Sequence, residues 1–180
     1  PLAMRFPLLD PDRFLVATMP LARPFFTRAG FVLWLALVAS GVVLAASQWA
    51  ELATNVSDRV FSTYNLLMLL VLYPLSKLLH ELGHAYATRL YGGEVHETGV
   101  MLLVFYPVPY VDASAAAGFA DRRARMVVGA AGIMVELALA ALGVIAWTWL
   151  EPGFARAAAF NLVLLCGVST VVFNGNPLLR

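Results

Sequence analysis

From Ala29 to Ala50 the chain runs without a single charged residue. About 20 consecutive apolar residues suffice to carry a helix across the hydrocarbon core of a bilayer, so the run FVLWLALVASGVVLAASQWA reads as a membrane span. It is not alone. A second apolar run starts near Phe61 and continues through NLLMLLVLYPLSKLLHELGHAYATRL to about Leu90. Pro74 is expected to kink it, because proline removes one helical hydrogen bond. A third span is expected over about 126–150 and a fourth over about 157–173. Across all 180 residues 61% are hydrophobic and 13% charged, whereas a soluble domain carries about 45–50% and about 25%. A globule of this size leaves too much surface in water to hide that excess. The expected class is an all-α membrane protein with about four transmembrane helices.

The segments between spans refine this. Residues 1–28 contain Pro7, Pro11, Pro20 and Pro24 and four arginines, and read as a cytoplasmic or interfacial segment with a brief amphipathic helix around Arg13–Met19. Residues 29–180 then form the membrane-embedded core. Arginines precede the first span and recur between Arg89 and Arg125, whereas the other two connections carry one each, Arg59 and Arg156. Positive residues favour the cytoplasmic side, which places both ends of the chain there in a multi-pass membrane protein. Between the second and third spans, TGVMLLVFYPVPYVD (98–112) is apolar without helical rhythm. It reads as a short re-entrant strand over about 99–106, closed by Pro107 and Pro109, since non-helical backbone at membrane depth must be sheltered by protein or line a cavity. The arginines form no stripe of the kind that binds nucleic acid, and the net charge is only +1. Cys166, the one cysteine, cannot form an intramolecular disulfide and reads as a small core residue. The chain opens at Pro1 with no basic n-region and cleavage site, and reads as a piece of something longer.

The residues that carry chemistry are His80-Glu81-Leu82-Gly83-His84. Positions i and i+4 of a helix share a face, so both imidazoles can reach one Zn²⁺ at about 2.0–2.1 Å. Glu81 is placed as a general base toward a water whose pKa the metal lowers to about 7. Two of the chain's three histidines stand here, within a lipid-facing run where ionisable groups are costly and usually functional. A catalytic zinc site usually has three protein ligands. The in-chain candidates for the third are Glu94, His96, Glu97, Asp112 and Glu136. The first three follow Gly92-Gly93, which should end the helix. Asp112 also fits a turn or an N-cap for 113–118. Glu136, inside the third span, is expected to hydrogen-bond a neighbouring helix.

These residues resemble the site-2 protease class of intramembrane zinc metalloproteases, and most closely its bacterial peptide zinc metalloprotease branch. The resemblance runs from about Pro11 to the end, with its strongest marks in KLLHELGHAYATRLYGGEVHETGVMLLVFYPVPYVDAS and the closing FNGNPLLR. It implies zinc as the cofactor and a peptide or membrane-protein substrate. It further implies a third ligand, an aspartate in an N-x-x-P-x-x-x-x-D-G pattern. Asn174-Gly175-Asn176-Pro177 matches the first four positions, which puts the aspartate at 182, past Arg180. Asn174 would bind the backbone of an unwound substrate, though a C-cap before Pro177 fits equally. The 99–106 strand would offer an edge to which an extended substrate adds. Gly129–Glu136 resembles the class's small-residue helix, with Glu136 where asparagine is common. The activity so implied is hydrolysis of a peptide bond in a membrane-bound or membrane-adjacent substrate. The rivals are a non-catalytic metal-site module serving a membrane-fusion or export partner, and a metal or haem permeation protein.

Overall fold

The computed structural model describes residues 3–59, 63–103, 106–168 and 170. They form a mostly helical chain with one small sheet: β1 (Ala3–Leu9), α1 (Asp12–Ala22), α2 (Arg28–Ser47), α3 (Trp49–Arg59), α4 (Thr63–Leu90), β2 (Thr98–Leu103), β3 (Tyr106–Val111), α5 (Arg122–Trp149) and α6 (Phe154–Val168). Three helices are long and apolar enough to cross a membrane, over Arg28–Ser47, Tyr64–Leu90 and Arg122–Trp149. Along α2 only Gly41 is buried, while Phe31, Val32, Leu33, Leu35, Val42 and Val43 are all exposed. A water-soluble surface does not tolerate so long an apolar stripe.

Two helices depart from the expected spans. The first span ends at Ser47 rather than Ala50, and the chain restarts as the separate helix α3, which no apolar run announced. Its Leu52 is buried against Trp147, Ala159 and Phe160. The fourth expected span corresponds to α6, which has 15 described residues and is shorter than the other three. Helix α4 continues through Pro74.

The sheet is larger than the single strand expected. Its order is β1-β2-β3, antiparallel throughout. The segment 98–103 is therefore the central strand and has no free edge for a substrate, contrary to expectation. Pro107 and Pro109 do not close the strand; they lie inside β3. Asp112 N–H donates to Glu97 O at 2.9 Å, so the even-numbered residues of β3 turn their backbone groups to β2. Pro107 and Pro109 then fall on the outer edge, where a missing N–H breaks no ladder bond. Gly99 admits β1: a Cβ there would lie 2.0 Å from Phe6 O, beside the register shift between Pro7 and Leu9.

The chain divides into two compact units, Pro1–Phe31 with Lys77–Val135, and Val32–Ser76 with Glu136–Arg180. In the first, α1 packs its buried Leu15 against Ala85 of α4 and Val95. Thr18 and Tyr86 hydroxyls hydrogen-bond at 2.7 Å, and Asp12 Oδ1 accepts from Val95 N–H at 3.3 Å. In the second, Asn161 Nδ2 donates to Asn65 Oδ1 at 2.6 Å in full burial, and Gly41 lets α2 close on Ala141, where a Cβ would come within 2.7 Å.

Leu15→Ala leaves a cavity at a fully enclosed position and is expected to cost about 2–5 kcal/mol. The measurement is the thermal midpoint of the detergent-solubilised protein, with the exposed Val16→Ala as a silent control. Equal midpoints would show that α1 is not docked on α4.

Candidate metal centre

Helix α4 carries the pentapeptide 80–84 as unbroken helix, which stacks His80 and His84 one above the other. Their rings stand edge to face, centroids 4.8 Å apart, and their Nε2 atoms converge to 3.0 Å. His80 is buried. His84 Nδ1–H donates to the Val128 carbonyl of α5 at 2.7 Å, which fixes the ring's orientation and leaves its Nε2 lone pair for another partner. Glu81 is half-buried beside the first histidine.

What faces the two nitrogens is a bare stretch of α5 backbone. A Cβ on Gly132 would lie 2.4 Å from His80 Nε2 and 2.5 Å from His84 Nε2, so any larger residue would intrude on the point where the imidazoles meet. Gly83, the fourth residue of the pentapeptide, makes the same kind of contact. A Cβ there would meet Val135 Cγ2 at 2.9 Å and Ala131 O at 3.1 Å. Two imidazole nitrogens bound tetrahedrally to zinc stand about 3.3 Å apart, a few tenths of an ångström more than observed here. The spacing of the two nitrogens fits an ion held by two histidines, and the close approach of α5 admits only glycine at 132.

The other candidates lie elsewhere. Among the described residues no third His, Cys, Asp or Glu completes a metal-holding group, and Asn174 lies outside the described residues. Glu136 is buried and accepts from Thr170 Oγ1 at 2.9 Å, the interhelical type of bond expected of it. Asp112 Oδ1 accepts from Ser114 N–H at 2.9 Å, as a turn-forming aspartate does, and that bonding with Ser114 lowers its pKa. Glu97 accepts from the Tyr110 hydroxyl at 2.6 Å. His96 is exposed and bridges Glu94 Oε2 at 2.9 Å and Asp10 Oδ2 at 3.1 Å. The sequence missed Gly132. A glycine within GAAGIM carries no local signal, and only the approach of α5 to α4 gives it meaning.

Comparison of the chain with protein-family models, curated proteins and solved structures returns no match. Fold and site together define a helical chain with three helices suited to a membrane, one of them bearing a convergent histidine pair.

Two outcomes are expected. Gly132→Ala should weaken zinc binding by about 100-fold, read as metal retained per chain, while Gly129→Ala, with open space around it, should keep it. Retention in both would separate Gly132 from the site. For His96, hydrogen bonds to Glu94 and then Asp10 raise its pKa, so its stabilising contribution is full below the ordinary histidine range and fades as pH rises through the raised value. The Asp12 backbone N–H and then His96 lower the Asp10 pKa, so its contribution is full above the ordinary aspartate range and fades as pH falls through the depressed value. An NMR titration should find the His96 midpoint above that of a free histidine and lowered again by Asp10→Asn. An ordinary midpoint would dissolve the bridge.

Proposed function

We propose that the chain is the metal-holding core of a zinc endopeptidase of the site-2 protease class, cutting a peptide bond in a membrane-bound or membrane-adjacent substrate. The observation that carries this reading is the convergence of His80 Nε2 and His84 Nε2 at 3.0 Å on an apolar helix, in front of a glycine. A paired imidazole of that kind has a metal as its natural occupant, and the glutamate next to the first histidine supplies the remaining chemistry.

Zinc bound by the pair and one further ligand would polarise the scissile carbonyl and make water nucleophilic near neutral pH. Glu81 takes the proton from that water as it attacks the carbonyl carbon, then delivers it to the amine nitrogen as the C–N bond breaks. His84 is held for this by Val128 O, and Gly132 lets α5 pass close to the two rings. The third ligand is the aspartate that the Asn174–Pro177 pattern implies beyond Arg180, with Asn174 binding the substrate backbone.

In this reading α6 and the residues after it form a fourth span. The helix ends marked by Arg28, Arg89 and Arg122 face the cytoplasm of a bacterial inner membrane. Arg5, Arg13, Arg23 and Arg28 precede or open α2, and Arg89, Arg122, Arg123 and Arg125 lie at or between the ends of α4 and α5, whereas the other two connections carry Arg59 and Arg156, an asymmetry of the kind that orients membrane proteins. The pair lies about 9–15 Å along α4 from the Leu90 end, toward the cytoplasmic face.

The test is Glu81→Gln in the complete protein. Zinc content should stay at the wild-type level while cleavage of the substrate falls by at least about 10³-fold, within the range of lost acid–base catalysis. Undiminished cleavage would overturn the role of Glu81. Zinc-loaded wild-type protein with no cleavage of any membrane protein would favour a non-catalytic module.

A further inference from the structure

A crevice of about 970 Å³ opens between α1, the turn that follows it and the C-terminal end of α4; its walls include Val16, Met19, Arg23, Thr27, Arg89 and Leu90. Two of these residues fix its depth. Thr27 immediately precedes the first residue of α2, and Leu90 is the last residue of α4, so the crevice stands where two membrane-length helices end. That is the headgroup level of a bilayer, on the side where arginines gather.

Its charge is one-sided. Among the described residues no acidic side chain lines it, although Asp12 pairs with Arg89 from outside it. Arg23 is exposed and has no ion-pair partner among the described residues. Arg89 commits Nε to Asp12 at 3.5 Å and Nη1 to the Gly93 carbonyl at 3.3 Å, which holds the guanidinium in place and leaves Nη2 over. The helix end that carries it is itself fixed. Gly92, at φ 84°, reverses the chain, and Gly93 N–H returns to Thr88 O at 3.1 Å, the left-handed glycine termination of a helix. The remaining walls are aliphatic apart from Thr27 and Gly92, and Phe14, Leu21 and Phe25 of the same segment are exposed. A positive pair above apolar walls suits an anion attached to hydrocarbon better than a free one.

We propose that this crevice binds the headgroup phosphate of an acidic phospholipid, gripped by Arg23 and Arg89, with the exposed aromatic and aliphatic side chains of 14–25 in the acyl layer beneath. Guanidinium matches phosphate with paired N–H donors. The site would pin α1 to the membrane surface and, through Leu15 against Ala85, steady the turn of α4 that follows His84. It rests on the membrane placement of α2 and α4 and is independent of metal chemistry.

The experiment is native mass spectrometry of the complete detergent-solubilised protein titrated with phosphatidylglycerol, with phosphatidylcholine and with inorganic phosphate. Expected is one saturable phosphatidylglycerol, preferred over phosphatidylcholine and not displaced by millimolar inorganic phosphate. Its affinity should fall about fivefold in Arg23→Ala, further in Arg23→Glu, and not in Arg123→Ala. Equal retention of the two lipids, displacement by inorganic phosphate, or unchanged affinity in both Arg23 variants would each overturn the proposal. Zinc content stays at the wild-type level in every variant if the two sites are separate, so a failed lipid site leaves the metal reading standing.

Discussion

The approach of α5 to the last turns of α4 is the contact on which the geometry of the histidine pair depends. On α4 the seam presents His80, Gly83, His84 and Ala87; on α5 it presents Val128, Ala131, Gly132 and Val135. Both sets follow helical spacing, and each includes one glycine and one alanine. Helices in lipid gain no hydrophobic drive from meeting, so backbone proximity and packing must hold them together. Gly83 and Gly132 supply that proximity, since a Cβ at either would meet the facing helix at 2.9 Å or less. The same closeness delivers the Val128 carbonyl to His84 Nδ1. Packing and imidazole orientation therefore come from one geometric fact.

A second face of α4 is held differently. Ala85, Tyr86 and Arg89, all within two turns of His84, are engaged by Leu15, Thr18 and Asp12 of α1. The N-terminal segment is thus part of the scaffold that immobilises the histidine-bearing turns, and β1 extends the same anchorage into the sheet. Precision at a metal site comes from such surrounding contacts. A segment rich in proline and arginine looked peripheral in the sequence, yet its one fully enclosed leucine touches the helix that carries the histidines.

The histidine spacing was legible because it is local: four residues and a helical period are enough to bring two rings together. The long apolar runs were legible for the same reason, as length and composition alone mark them. Gly132 was not, because its role exists only when another helix lies against it. Nor was β1. Its sequence, AMRFPLL, lacks a clean alternation and contains a proline, and its partner lies some ninety residues away in the sequence. Pro107 and Pro109 misled in the opposite direction. Proline usually stops a strand, but on an outer edge it costs no ladder bond, and which edge is outer cannot be read from a single strand.

The polar residues within the apolar helices allow one more step. Asn161 and Asn65 join α6 to α4, and Glu136 of α5 meets Thr170. Each of these bonds links separate segments, so the need to satisfy polar groups in hydrocarbon while fastening helices together explains it. The contact between His80 Nε2 and His84 Nε2 links two residues of one helix. It fastens nothing across the bundle, and an apolar pair at those positions would pack without the cost of burying a ring nitrogen. His84 gains an interhelical bond through its other nitrogen. Helix association accounts for the asparagines, the glutamate and the Nδ1 side of His84, whereas the meeting of the two Nε2 atoms lies within one helix. A cation shared between those nitrogens is the occupant that the proposed function assigns to them.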